Sequence, residues 1–343
     1  MSDPVLTTGA LVTEFEGKLA DYLGAKHAVG TNSCTMALFL ALKALGIGPG
    51  DEVITTPLTY IATAQAICYT GARPVFVDVE EAAGNLDASL IERSITRNTK
   101  AIVPVHLYGW MCDMPAIMTL AMRYNLAVVE DAAHCLEGSR DGIRPGDLSQ
   151  AACFSFYATK SITCGDGGGA VVTKLLELAD QVRLLSRHAI VRNENRTYCN
   201  DTLGYKANMD NLKAALLLPQ MNKINARRCH RLMAAGQYAH RLTHEIRMVQ
   251  QSVPWERHAR HLYPIRVPAW HRDSLLYFLR DRGIECGVHY RPVHELAYFS
   301  KRFPAFCPVA SRIGAETLSL PFYPEIPAEH IEEVCAAIRE YFA

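Results

Sequence analysis

Neither sign of charge dominates this 343-residue sequence: 35 Lys and Arg face 35 Asp and Glu. That balance gives no support to nucleic acid or an anionic membrane surface as the main partner. A membrane span is not expected either, because no apolar run approaches the roughly eighteen residues that a spanning helix needs. The eleven cysteines are scattered and odd in number. They form no CxxC pair and no Cys/His cluster at ligand spacing, which argues against a disulfide framework and against a bound metal. A reducing, cytoplasmic setting fits that usage. Met1-Ser2-Asp3-Pro4 has neither the basic nor the apolar region of a signal peptide, which adds to the cytoplasmic expectation. Internal repeats and low-complexity tracts are also missing.

What is present is a chain with 49% hydrophobic and 20% charged residues, the balance of a globular protein. It is long enough for a large domain and a smaller one, each with its own core. One stretch organises the rest: Phe154-Ser155-Phe156-Tyr157-Ala158-Thr159-Lys160, followed by the turn Gly165-Asp166-Gly167-Gly168-Gly169 and the apolar Ala170-Val171-Val172. The aromatic run reads as the end of a buried strand, and Lys160 leaves just beyond it. Such a lysine is either a solvated loop residue or an amine in a dry pocket. In the second case burial lowers its pKa, so that it can attack a carbonyl and form a Schiff base. The dense glycines point to backbone passing close to something bulky.

Taken in order, apolar spacing predicts an entry helix over 11–23 and a short strand at Ala28-Val29-Gly30. Thr31-Asn32-Ser33-Cys34-Thr35 then turns the chain into an apolar helix, Met36 to Leu45. Hydroxyl residues between a strand end and a helix start make either a phosphate site or a plain helix cap. A strand at 52–56 leads into a helix opened by Pro57-Leu58-Thr59-Tyr60, where Tyr60 either packs on the core or covers a ligand ring. Strands follow at 74–79 and 101–106, separated by a helix-like stretch around 88–94. A helix near 114–124 precedes the strand Leu126 to Glu130, which ends at Asp131-Ala132-Ala133-His134. In a parallel sheet ligands sit beyond the carboxyl ends of strands, so Asp131 either pairs with a protonated pyridine nitrogen or caps the next turn. Strands at 152–156 and 169–173 flank Lys160. A helix over 175–187, a mobile loop over 191–202 and one long helix from about 211 through Ile224 complete the first part. Beyond Arg227 the pattern predicts a helix through Tyr238 and Leu242, a strand at 262–267, a helix at 274–282, a strand at Gly287-Val288-His289-Tyr290 and a last helix carrying Ile331, Val334, Cys335 and Ile338. Alternating strands and helices make this an α/β chain.

The joint order of hydroxyl turn, aromatic residue, Asp at a strand end, then Ser and Lys before a glycine turn is far more specific than any one of these signals. It resembles the fold-type I pyridoxal-phosphate enzymes, and among them the DegT-type sugar-nucleotide aminotransferases. The matching stretches include Thr7-Thr8-Gly9, Pro104-Val105-His106-Leu107-Tyr108-Gly109, Glu130 to His134, Ser155 to Lys160, Gly204-Tyr205-Lys206 with Asn208-Met209, Gly287 to Tyr290 and Ser319-Leu320-Pro321. They run from about residue 6 to the C-terminus. The Gly-Tyr-Lys-x-Asn form and the C-terminal third are most similar to members that aminate C4 of a UDP-linked 4-keto sugar.

The resemblance implies a large domain over 1–225, with a seven-stranded, mostly parallel sheet between helices, and a small α/β domain over 226–343. It implies pyridoxal 5'-phosphate as cofactor, with Lys160 as the Schiff-base lysine and proton carrier, Asp131 on the pyridine nitrogen, Tyr60 stacked on the ring and His134 near the ring hydroxyl. Ser155, Thr35 and the backbone at Cys34 would hold the phosphate. Asn208, with Lys206, would reach the phosphate of a neighbouring subunit's cofactor, so a homodimer with shared sites is expected. His261, His289, Tyr290 and Arg291 are candidates for substrate contact and equally for structural roles. The implied reaction is ping-pong transfer of an amino group from L-glutamate to a UDP-4-keto-6-deoxy sugar, for deoxyamino sugar, lipopolysaccharide or glycan biosynthesis. A sugar 3-dehydratase of the same fold is the alternative; the family's dehydratases carry His at the lysine position, so Lys160 favours amine transfer. A non-catalytic pyridoxal-phosphate-binding regulator is the other, and the set Asp131, Ser155 and Lys160 argues against it.

Overall fold

The computed structural model describes residues 6–192, 198–242, 246–248 and 257–343. Its elements, in order, are α1 (Ala10–Leu23), β1 (His27–Thr31), α2 (Cys34–Ala44), β2 (Glu52–Thr55), α3 (Ala62–Tyr69), β3 (Arg73–Phe76), β4 (Thr99–Val103), α4 (Met114–Arg123), β5 (Ala127–Asp131), β6 (Ala151–Ser155), β7 (Gly169–Thr173) and α5 (Leu176–Leu185). A two-residue ribbon of β8 (Val191–Arg192) and β9 (Tyr198–Cys199) leads to α6 (Asn211–Met221) and α7 (Ile224–Arg241). Then come β10 (Arg247–Met248), β11 (Tyr263–Arg266), α8 (Ala269–Asp281), α9 (Ala297–Arg302), α10 (Pro308–Glu316), β12 (Thr317–Leu320) and α11 (Ala328–Phe342).

The seven-stranded sheet runs β1-β7-β6-β5-β4-β2-β3. β7 alone lies antiparallel to its neighbours, so the sheet is mostly parallel, as the alternation of elements predicts. Parallel strands need cover on both faces, and strand alternation supplies it. Ile102, Val128 and Phe154 join Phe15, Leu19 and Leu217 on one side. Ala101, Val103, Val129 and Val171 join Leu38, Leu42 and Val182 on the other. A smaller antiparallel sheet, β10-β11-β12, shares a third core with Tyr238, Leu275, Leu279, Ile331 and Ile338. A fourth cluster ties the two regions together by packing Leu58 and Tyr108 against Val293, Phe299 and Ile313. No described helix is long and apolar enough to cross a membrane, and no described group of His, Cys, Asp and Glu is arranged to hold a metal ion.

The structure corrects several local expectations. Gly287 to Tyr290 is not a strand: Gly287 alone makes a bridge, to Ser319, because no second strand lies beside the residues that follow. The stretch around 88–94 is two 3-10 turns, the first capped by Asp87. The long helix from 211 breaks at Asn222-Lys223, which separates α6 from α7. Within the loop expected over 191–202, residues 193–197 lie outside the described residues, and the rest includes the β8–β9 ribbon.

Candidate active site

β5 carries Asp131 to the carboxyl end of the sheet, where it is 6% exposed. Its Oδ2 accepts from Thr63 Oγ1 at 2.7 Å, and its Oδ1 accepts from the Ala133 N–H at 3.1 Å. Burial raises the affinity of this carboxyl for protons, and the two hydrogen bonds and the charge of Lys160 oppose that only in part. The donors that hold Asp131 are neutral, so its negative charge calls for a cation that the described side chains do not place in contact with it.

β6 delivers the second group. Past Ser155 the chain turns, with the Lys160 N–H bonded to Tyr157 O at 2.9 Å. Lys160 Nζ meets His261 Nε2 at 3.4 Å. Burial pulls the Lys160 ammonium down to about 8, against the opposing influence of Cys34 and Asp131. Burial, and next the charge of Lys160, pushes His261 well below its ordinary range. The ring is therefore neutral, and its Nε2 accepts from the lysine or donates to it according to the tautomer.

A cluster of rings closes the site around this pair. His134 stacks on His261 with centroids 4.4 Å apart, and its Nε2 lies 3.2 Å from the Tyr290 hydroxyl. His134 Nδ1 accepts from the Tyr108 N–H at 3.2 Å, which places the proton of the neutral ring on Nε2. His289 Nδ1 lies 3.0 Å from Ser319 Oγ, and burial pushes this imidazole down to about 4, with Lys160 adding to the shift. Tyr60 is 60% exposed, 5.9 Å from the Tyr290 ring between centroids, with an open face beside the site.

The fourth component is a cradle at a helix start. Ser33 caps α2, its Oγ accepting from the Met36 N–H at 3.2 Å, so the amides of Cys34 and Thr35 head the helix. β7 presses against that end: a Cβ on Gly169 would stand 2.5 Å from Cys34 N and 2.6 Å from Ser33 C. Only glycine allows this approach. Gly169 also pairs with Ser155 across β6 and β7, so Ser155 lies one strand away from the helix N-terminus headed by Cys34 and Thr35, an arrangement suited to a phosphate. A lysine amine, an uncompensated carboxylate and an anion cradle on one sheet edge are the donor set that pyridoxal phosphate requires, and the residues present fit it.

The structure leaves three of the expected residues outside this cluster. Lys206 Nζ donates to Asn208 Oδ1 at 2.7 Å, and Asn208 Nδ2 to Thr8 Oγ1 at 2.7 Å. Both residues adjoin Asn32, whose N–H bonds Ala207 O at 2.7 Å. The Arg291 side chain is 69% exposed, 3.9 Å from Glu295.

Sequence reading missed several contributors. Thr63 holds Asp131 from 68 positions away, and nothing local marks it. Tyr108 lies inside the Pro104–Gly109 stretch but carries no role until its contacts are seen. It is fully buried at φ 56°, a left-handed conformation that costs a non-glycine residue about 1–3 kcal/mol. Its N–H holds His134, its carbonyl accepts from the His261 N–H at 3.0 Å, and its hydroxyl donates to the His289 carbonyl. One strained residue thus positions three histidines around Lys160. The Glu137–Arg231 pair, Oε1 to Nη2 at 2.5 Å, is buried behind Ser161.

Known proteins share both the sequence and this architecture. The chain is 41% identical to the spore coat polysaccharide biosynthesis protein SpsC of Bacillus subtilis, over 98% of this chain and 90% of that protein. It is 38% identical to the UDP-N-acetyl-3-dehydro-alpha-D-glucosamine 3-aminotransferase of Acidithiobacillus ferrooxidans, over 94% of this chain and 86% of that one. Among solved structures, S. venezuelae DesV in complex with a ketimine intermediate superimposes with a TM-score of 0.93 at 37% identity, covering 99% of this chain and 91% of its own. Other matching structures hold PLP or PMP. The model of the DegT/DnrJ/EryC1/StrS aminotransferase family matches residues 1–339, and the chain belongs to that family.

Proposed function

We propose that this enzyme moves an amino group from an amino acid, L-glutamate, to the keto carbon of a nucleotide-linked sugar. The observation that carries the reading is Lys160, an amine pulled down to about 8 by burial, on the same sheet edge as a carboxylate held only by neutral donors. The cofactor is pyridoxal phosphate, which when bound supplies an aldehyde and an electron-withdrawing ring.

The chain's own groups divide the work. Near pH 8 Lys160 is neutral in a large fraction of molecules, so Nζ can act as nucleophile and then as the base that takes and returns a proton at the substrate carbon. His261 orients Nζ without competing for charge, because its ring stays neutral. Asp131 gives a cationic ring nitrogen the counter-charge it needs, and that cation in turn offsets the cost of burying Asp131. Cys34, Thr35 and Ser155 would hold the phosphate, Tyr60 would cover the ring, and the Nε2–H of His134 would offer it a donor. His289 and Tyr290 border the same space and are read as substrate contacts. Lys206 and Asn208 are assigned to the phosphate of a second copy in a homodimer; the exposure of Lys206 in the single chain supports that. The division at 225/226 into cofactor-binding and smaller domains falls in the first turn of α7, and is supported by Ile224 packing in the core of the large sheet while Ala234, Ala235 and Tyr238 pack in that of the small one.

For the acceptor, the Gly204-Tyr205-Lys206-x-Asn208 form and the C-terminal third support a UDP-linked 4-keto-6-deoxy sugar. A 3-keto sugar is the second reading, favoured by the relative named as a 3-aminotransferase. A screen of UDP-, GDP- and dTDP-linked 3- and 4-keto sugars with L-glutamate, followed by product mass, decides between them. Aminated product from a 4-keto UDP sugar is expected. Aminated product from no nucleotide-linked sugar would defeat the reading.

A further inference from the structure

Beyond Lys160 the site opens into a cavity of about 250 Å³ that the chemistry above leaves unused. Lys160, Ser161, His261, Arg227, Arg231 and Glu325 are among the residues that line it. The two arginines differ. Arg231 is buried and already answered by Glu137, whose second oxygen accepts from Ser161 Oγ at 3.0 Å. Arg227 donates through Nη1 to two neutral acceptors, Gln220 Oε1 at 2.9 Å and Ser161 O at 3.3 Å. Those bonds orient its guanidinium, while Nε and Nη2 make no hydrogen bond to a described residue and no described carboxylate pairs with it. Glu325 does not fill that role: its side chain is 80% exposed, 3.8 Å from His230.

An oriented guanidinium with free donors, facing the same cavity as the reactive amine, suits a carboxylate. An amino-acid donor carries both an amine and a carboxylate, and this cavity is lined by both the reactive amine and the guanidinium. We propose that this cavity is the amino-donor subsite, with Arg227 binding a carboxylate of the donor while its amine faces Lys160. The inference rests on the aminotransferase reading and extends it. The other anion that reaches this site is the diphosphate of the nucleotide sugar, and the test separates the two.

In the holoenzyme, Arg227→Gln should raise the KM for L-glutamate about tenfold or more, with kcat nearly unchanged, as expected for loss of a charge-assisted contact made equally in ground and transition states. The KM for the keto sugar should stay the same. Calorimetric affinity for glutarate, a dicarboxylate with no amine to transfer, should fall by a similar factor. Arg227→Lys keeps the charge but loses the fork, and should give a rise of about threefold; it serves as the test if the glutamine variant does not fold. Unchanged glutamate KM and glutarate affinity would overturn the proposal, and a rise confined to the keto-sugar KM would overturn it in favour of the diphosphate. If the wild-type enzyme transfers no amine to any keto sugar, the aminotransferase reading fails instead, and the glutarate titration still decides the subsite.

Discussion

Glu130 and Asp131 close β5 side by side, and strand alternation sends them to opposite faces of the sheet. Glu130 meets a full set of partners. Its Oε1 accepts from the Gly146 N–H at 2.8 Å and Ser149 Oγ at 2.5 Å, and its Oε2 from His106 Nε2 at 2.6 Å. His106 is fixed in turn, its Nδ1 accepting from the Cys112 N–H at 3.2 Å. Asp131 has Thr63 and Ala133, both neutral, and faces the cleft that holds Lys160. Both carboxylates are buried and hydrogen-bonded. What separates a scaffold carboxylate from a reactive one is whether the chain supplies its titratable partner or leaves that place to a ligand.

Four substitutions break or sharpen this contrast, in decreasing order of effect. Lys160→Ala removes the amine that the open side of β5 serves, and transamination should fall to background in an assay of product mass; undiminished turnover would sink the mechanism. Asp131→Asn keeps the shape and loses the charge, and kcat should drop about a hundredfold or more with the melting temperature nearly unchanged. Glu130→Gln should reverse that pattern, costing about 1–3 kcal/mol in a urea titration because a buried hydrogen-bonded charge is lost, with kcat within about twofold of wild type. If the two variants behave alike, the distinction between the faces is wrong. Thr63→Val takes one donor from Asp131 and should lower kcat/KM by roughly three- to tenfold; no change would show that this hydroxyl does not tune the carboxylate.

The residues to which we assign the chemistry stand out in the sequence because their signals are local. Asp131 stands at a strand end and Lys160 between a strand and a glycine turn, and short continuous apolar runs mark buried strands and their ends. The helix start at Cys34–Thr35, where we place the phosphate, stands out for the same reason, as a hydroxyl turn ahead of an apolar helix. Residues whose roles come from distant contacts do not. Thr63, Glu137 and Arg231 look ordinary in sequence and gain meaning from partners in other elements. Tyr108 needed its left-handed backbone and its three contacts to be seen. The strand expected at Gly287 to Tyr290 failed because a β-branched residue in an extended run says nothing about whether a neighbouring strand is there to pair with it. Its histidine and tyrosine still reach the site, from an irregular segment.

That a single amine, Lys160, holds the cofactor is the claim on which the rest depends. Borohydride reduction of the holoenzyme fixes pyridoxal phosphate to the nitrogen it occupies, and peptide mass mapping then locates it. The account predicts the adduct on the peptide containing Lys160, in stoichiometric yield, and its loss in Lys160→Ala. An adduct on any other lysine, or none in the wild-type protein, would contradict it.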